Sequence, residues 1–334
     1  MALYAVTGGA GFIGSHLTRQ LLDRGDKVRV LDIRACEDPD FVVCIQKGQL
    51  DWVLGDIRDI STVREFVQGA DAVFHLAANP RLWTRRRGDF HSVNMVGSRV
   101  VLEEACLAGC RRVVHCSTES ILTRQVQDDP IRPDQVVPKR DVVGPYCRSK
   151  YQAEVLALSM GRSGHPVIVV NPTLPIGPGD SSLTPPTRLI RDFCLGKRRE
   201  YIHAELNLID VRDVARGLVL AMERGVPGRR YLLGSENMTV YDLFKRLSDI
   251  TKLPGPRYRI PYHIALLAAL CSELAADLVT GTEPEPSITG VLLARRRMVF
   301  DARESLAELG LIPESVDAAL INSIDWLRSN GHLR

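Results

Sequence analysis

The 334-residue chain lacks paired cysteines at metal-ligand or CxxC spacing, lacks a strong charge of one sign, and lacks an uninterrupted apolar run of membrane length. Each absence removes a class of protein. Its eight cysteines, at 36, 44, 106, 110, 116, 147, 194 and 271, are scattered, so reduced thiols are expected and neither a disulfide framework nor a metal site. A formal net charge of +3 gives no electrostatic footprint for nucleic acid. The basic clusters Arg85–Arg87, Lys197–Arg199 and Arg295–Arg297 are not interleaved with aromatics and read as solvated surface. The start of the sequence has no basic region followed by an apolar signal core, which predicts a cytoplasmic protein. The most hydrophobic later stretch, Ile264–Val279, is broken by Glu273 and Asp277 and is shorter than a transmembrane span. It reads as an amphipathic helix, with rest on a membrane or cover over a greasy ligand as the alternative.

What is present is an ordinary soluble composition, 45% hydrophobic and 25% charged, in a chain long enough for one large or two coupled domains. There is no internal repeat. The N-terminal part is organised around TGGAGFIG, Thr7 to Gly14. A short apolar run, Leu3–Val6, precedes it and a helix-like segment, Ser15–Arg24, follows. In that context Gly8 permits a tight turn, Gly11 lets the backbone approach a pyrophosphate, and Gly14 lets helix and strand pack closely. The helix N-terminus then faces the phosphates. A second strand, Lys27–Leu31, leads into Asp32, about 20 positions past the glycines, where an acid accepts hydrogen bonds from the adenosine ribose. Its charge repels a 2'-phosphate, so NAD is expected over NADP, although Arg34 is of the type that accommodates that phosphate.

Further strands are expected within Asp51–Asp59, over Asp71–Ala78, over Arg111–Ser117 and over Pro166–Val170, with helices over Phe90–Ala108 and from Tyr146 to Arg162. This alternation predicts an α/β doubly wound parallel sheet of the Rossmann type. Asp56 stands where an acid can bind the adenine amino group, or cap the next helix. Expected cofactor contacts also include Phe12 and Ile13 in the glycine turn, Ile57 beside Asp56, Leu76, Ala77 and Ala78 at the fourth strand's end, and Pro172 after the sixth strand. Residues 1–178 would form this domain, with strand contributions from later segments, and 179–334 mainly a smaller α/β substrate lobe. The pieces Val211–Arg224, Arg230–Leu233, Val240–Ile250 and Val316–Arg328 are expected in that lobe.

The chemistry is expected at Tyr146 and Lys150, a YxxxK pair whose separation puts both side chains on one helix face. The Lys150 ammonium and a nicotinamide cation favour the phenolate. Tyr146 can then exchange a proton with a substrate hydroxyl while hydride moves at the same carbon, and Lys150 also holds the ribose. Thr118, with Ser117 as the alternative, hydrogen-bonds the substrate oxygen. His75 and His115 lie in apolar strands and read as structural. Trp83 either lines the substrate site or anchors its loop, and Asn171 either touches substrate or caps its own loop. Asp213 is expected to stabilise a turn or helix near the cleft.

TGGAGFIG, Asp32, GDIRD, HLAA, Asn94, Ser117–Thr118 and YxxxK together resemble the extended short-chain dehydrogenase/reductase superfamily along essentially the whole chain. The resemblance implies an NAD(P)-binding Rossmann domain, a Thr118–Tyr146–Lys150 triad, a structural role for Asn94, and homodimers packed through the helices around Asn94 and Tyr146. Within it, RLW at Arg81–Trp83, NPTLPIGPGD at Asn171–Asp180, LNLIDVRDVARG at Leu206–Gly217, RRYLLGSEN at Arg229–Asn237 and the tail MVFDARESLAELG resemble the hopanoid-associated sugar epimerase group, itself similar to dihydroflavonol 4-reductases.

Two departures bear on the substrate. Nucleotide-sugar epimerases carry an Arg-x-Gly-Asp pattern near the tail, where Ala294–Asp301 here reads ARRRMVFD. Sugar dehydratases carry Thr-Asp-Glu after the fifth strand, where this chain has Thr118, Glu119 and Ser120. The reading is an NAD-dependent oxidoreductase acting at a secondary alcohol or ketone of a moderately large small-molecule substrate, partly apolar or sugar-like. The alternatives are an NAD-retaining sugar epimerase, a dehydratase using Glu119, and a non-catalytic NAD-sensing protein. The last typically loses the Tyr or Lys that this chain keeps.

Overall fold

The computed structural model describes residues 2–333. Strands and helices alternate through the first half: β1 (Leu3–Thr7), α1 (Phe12–Asp23), β2 (Lys27–Asp32), α2 (Pro39–Gln46), β3 (Leu50–Leu54), α3 (Ile60–Val67) and β4 (Ala72–His75). Next comes a long helix whose first part, Phe90–Gly97, is π-wound before it continues as α4 (Ser98–Leu107). β5 (Arg112–Cys116), α5 (Gly144–Arg162) and β6 (Val167–Pro172) follow. Local signals set the helix starts. Asp38 accepts from the Asp40 and Phe41 N–H groups ahead of α2, which has a proline in its first turn, and Asp59 accepts from the Ser61 N–H ahead of α3.

The second half runs β7 (Leu174–Ile176), α6 (Pro185–Cys194), β8 (Glu205–Asp210), α7 (Val211–Arg224), β9 (Arg230–Leu233), β10 (Glu236–Thr239) and α8 (Val240–Thr251). It ends with α9 (Tyr262–Ala275, prolonged by a π turn, Ala276–Thr280), α10 (Ile288–Ala294), α11 (Arg303–Leu309) and α12 (Val316–Ser329). A seven-stranded parallel sheet has the order β3-β2-β1-β4-β5-β6-β9, and a small sheet has the order β10-β8-β7. The strand order reverses between β1 and β4, which opens a crevice at the carboxyl ends of the strands where ligands bind in such sheets.

One apolar layer joins Val6, Val30 and Phe74 to Leu17 and Leu21 of α1 and to Val214 and Leu218 of α7. The other joins Ala5, Val73 and Val113 to Val63 and Phe66 of α3, Val101 and Leu102 of α4, and Ala157 of α5. Each fully buried Leu, Val or Phe contributes about 1.5–3 kcal/mol of transfer free energy. A third cluster, including Ile176, Phe193, Leu208, Phe244 and Leu320, holds β7, β8, α6, α8 and α12 together.

Two expectations are corrected. Val211–Arg224 and Arg230–Leu233 serve the main sheet, since α7 shares a core with α1 and β9 pairs in parallel with β6. The chain leaves the large sheet for the lobe and returns, a detour that local patterning does not reveal. The fourth strand is also shorter than Asp71–Ala78. Its ladder ends at His75, and Leu76–Ala78 turn away while the Thr7 carbonyl and hydroxyl accept the N–H groups of Leu76 and Ala77.

The polar segment between β5 and α5 is held by apolar residues rather than left loose. Ile121, Leu122, Ile131 and Val137 pack with Met298 and Phe300, and Ile131 bridges to Phe300. Met298 and Phe300 thus clamp this segment beside the crevice.

Candidate active site

At the first β–α turn Gly8 has φ of +77°, and its N–H donates to the Leu31 carbonyl. A Cβ there would stand 2.7 Å from the Ala77 nitrogen, so only glycine lets the two turns approach this closely. Gly11 caps α1 without a side chain. The amides of Phe12, Ile13 and Gly14 in the first helical turn therefore have no intrahelical acceptor and form an anion cradle at the positive end of the helix dipole. Gly14 packs so tightly on the turn that an added Cβ would overlap the Gly8 carbonyl.

Asp32 closes one side of the cradle. It is nearly buried, with Oδ2 accepting from the Ala10 N–H and Oδ1 from the Arg34 N–H, both at 3.0 Å. Arg34 folds back over the turn, donating to the Ala10 carbonyl at 2.5 Å. Asp56 is gripped by the Arg58 guanidinium, which holds its carboxyl below the ordinary carboxylate range. Asp59 rather than Asp56 caps α3. Ile57 is buried, Leu76, Ala77 and Ala78 are partly exposed beside Gly8, and Pro172 is buried at the end of β6. These residues fit a dinucleotide: the uncapped helix N-terminus, the fixed acid and the small wall each match one of its parts.

Thr118, Tyr146 and Lys150 lie where β5 ends and α5 begins. Lys150 is buried and its Nζ donates to the Cys116 carbonyl at 2.8 Å, while burial lowers its pKa. Tyr146, one turn earlier on the same face, is half-buried and packs edge-on against Phe90. Desolvation raises its phenol pKa, with Cys147 and Glu119 adding to the rise and the Thr118 hydroxyl opposing it. Thr118 Oγ1 donates to Glu119 Oε2 at 2.8 Å and lies 3.1 Å from Ser120 Oγ. Glu119 is buried, and burial lifts its pKa to about 7. The Ser117 hydroxyl, next to Thr118, is buried without a partner among the described residues.

Asn171 is fully buried. Its amide nitrogen donates to the Thr118 carbonyl at 2.8 Å and to Glu154 Oε2 at 2.7 Å, so the geometry supports an anchoring role more than substrate contact. Glu154 in turn pairs with Arg230 on β9, whose guanidinium also donates to the carbonyls of Pro133 and Gln135. This buried network was missed in the sequence. Its available signal was the continued spacing Tyr146, Lys150, Glu154, an acid on the reactive face of the helix.

Trp83 is buried and its indole N–H donates to Asp277 Oδ1 at 3.0 Å, which ties the loop after β4 to the π turn following α9. Asn94, in the π-wound segment, accepts from the Asn79 N–H and donates to Ser149 Oγ, joining the same loop to α5. His75 bridges Thr7 and Ser98 at 2.7 and 2.8 Å, and burial holds its pKa near about 3. His115 stacks against His75 at 5.3 Å and is kept neutral by burial. Asp213 accepts from Arg216 and from the Glu314 N–H, tying α7 to the segment before α12. All eight cysteines are free thiols, and no group of three or more metal-ligating side chains occurs among the described residues.

The pattern of the NAD dependent epimerase/dehydratase family matches residues 4–234. A protein of Synechocystis sp. named "Putative dihydroflavonol 4-reductase" is 37% identical over 338 residues, covering 99% of this chain and 96% of its own. Sterol demethylase protein B of Methylococcus capsulatus is 31% identical, covering 98% of each chain. The crystal structure of gox2253 superposes with a TM-score of 0.85 at 32% identity over the full length of both chains. With the family match over residues 4–234 and a parallel sheet behind an uncapped glycine turn, the chain belongs to the NAD-dependent epimerase/dehydratase family and is an NAD-dependent enzyme.

Proposed function

We propose that the chain catalyses reversible oxidation and reduction at a secondary alcohol or ketone carbon of a partly apolar substrate. The observation that carries this reading is the convergence of Thr118, Tyr146 and Lys150 at the carboxyl ends of β5 and β6, beside the dinucleotide cradle. When bound, NAD supplies the hydride acceptor or donor at the reacting carbon. Tyr146 takes the hydroxyl proton in oxidation and returns it in reduction. Thr118, with Ser117 beside it, hydrogen-bonds the substrate oxygen. Lys150 lowers the cost of the phenolate and reaches the cofactor ribose. The lobe built from β7, β8, α6, α8 and α12 supplies the wall over the crevice, and Trp83 shapes its edge. The similarity to a named reductase and to a sterol-processing protein supports the apolar substrate, as does the absence of the nucleotide-holding tail pattern.

The same site supports epimerisation, in which hydride returns to the opposite face of the carbon, and Asp32 with the family likeness favours that second reading. Elimination would use Glu119, whose pKa of about 7 keeps a proton available near neutrality. We place the enzyme in the cytoplasm as a homodimer packed through α5 and the helix that carries Asn94, where the exposed Val96 and Val155 offer apolar contact. The test is Tyr146→Phe with a panel of alcohols and ketones. A loss of at least about a hundredfold in kcat is expected, and unchanged turnover refutes the assignment. Net NADH formation separates oxidation from epimerisation, which leaves free NADH constant.

A further inference from the structure

The helix α9 and its π turn expose a run of large apolar side chains. Ile264, Leu267, Leu270, Leu274 and Leu278 are each between 49% and 73% exposed. At helical spacing they fall within an arc of about 120°. The opposite face, Ala265, Ala269, Glu273 and Ala276, is buried against the protein. The segment therefore lies along the fold and does not cross a bilayer, although Tyr262–Thr280 is long and apolar enough to do so.

Neither of the segment's acids faces outward as a free charge. Glu273 is buried and accepts the Ile288 N–H at 2.7 Å. Asp277 is held by the Trp83 indole and by Arg87 at 3.2 Å. The acids that follow, Glu283 and Glu285, are both paired with Arg188. Cations sit at both ends of the stripe. The Arg295 guanidinium lies 5.1 Å from the Tyr262 ring at the start of the helix, with Arg257, Tyr258 and Arg259 exposed in the segment that enters it. At the far end Arg85 reaches the Gly281 turn, and Arg85 and Arg86 are exposed.

We infer that this face docks the enzyme on an anionic lipid surface, with α9 lying in the plane of the interface. An apolar stripe bounded by arginines matches acyl chains below and acidic headgroups around them. A second copy of this chain fits poorly, because parallel or antiparallel pairing of α9 brings one arginine cluster against another. The Trp83–Asp277 bond places this face next to the loop that edges the crevice, so a membrane-dissolved substrate would meet the site from the side on which the enzyme rests. The inference is independent of the reaction assigned above.

The test is co-sedimentation of the full chain with phosphatidylglycerol/phosphatidylcholine vesicles, with pure phosphatidylcholine vesicles, and with the anionic vesicles in about 1 M salt. Binding to the anionic vesicles is expected, with at least about tenfold less under the other two conditions. Leu267→Gln with Leu274→Gln should lower partitioning at least about tenfold while NAD binding persists, since the helix lies outside the cradle. Should that variant fail to fold, Arg85→Gln with Arg295→Gln should weaken the anionic-vesicle binding by a similar factor. Wild-type protein that stays in the supernatant, or binding that survives the leucine or the arginine substitutions, overturns the inference. So does a concentration-dependent dimer, seen by sedimentation velocity, that the leucine substitutions abolish, since the face would then be an interface between copies.

Discussion

Replacing Glu119 with Gln should make the protein more stable at pH 8 than the wild type, relative to the difference between them at pH 5. The carboxyl is buried, and its pKa rises from the ordinary 4.5 to about 7, with desolvation the main cause. A shift of about 2.5 units corresponds to about 3 kcal/mol. Because the folded state binds this proton more tightly than the unfolded state, stability contributed by the neutral acid is present below pH 4.5. It is lost as pH rises towards 7. Gln has no proton to lose and keeps a similar shape. Between pH 5 and pH 8 the variant should therefore gain about 2–3 kcal/mol on the wild type. Any fixed cost of the amide beside Thr118 cancels in that comparison. Urea unfolding of both proteins, followed by tryptophan fluorescence at several pH values without NAD, reads the difference directly. An offset that is the same at pH 5 and pH 8 would refute the reasoning, because it would mean that Glu119 ionises as an ordinary exposed acid.

The glycine turn offers a second test, because Gly14→Ala puts a methyl into the Gly8 carbonyl, a backbone atom that no side-chain rotation can move aside. We expect NAD affinity to fall more than about tenfold and stability by about 1–3 kcal/mol, measured by titration calorimetry and denaturation; wild-type affinity would show that the turn has room to spare. Glu154→Ala strips the buried partner from Arg230 and frees Asn171. Destabilisation of about 3–5 kcal/mol is expected, with a lower kcat and little change in the KM for NAD; a loss below about 1 kcal/mol would show that the network does not hold the Thr118 loop.

The cofactor half of the site was legible because its requirements are local. A strand, a glycine turn, a helix and an acid lie within residues 3–32, and each is constrained by backbone geometry rather than by distant partners. The placement of Tyr146, Lys150 and Thr118 near one another was legible for a similar reason, one pair by helical spacing and one residue by its position at a strand end. Partnerships across long separations were not. Trp83 meets Asp277 194 residues away, and Glu154 meets Arg230 76 residues away. No periodicity in either segment announces such a contact. The destination of β9 was hidden likewise, since a short apolar run looks the same in a lobe as in the last position of a parallel sheet. The helix over Ile264–Val279 was legible, but whether its large apolar side chains would be packed or left outward was not, because that depends on which distant segments cover it.

The return of α7 and β9 to the large sheet also means that the sheet is completed late in synthesis. Residues through β6 emerge from the ribosome with the far edge of the sheet unpaired and with one side of α1 still bare, because Val214 and Leu218 have not been made. Glu154 is then a buried-type acid without its arginine, and the segment after β5 lacks Met298 and Phe300 to close it. The last sheet position, the second cover on α1 and the clamp over the segment after β5 are therefore completed only when the later half of the chain has been made.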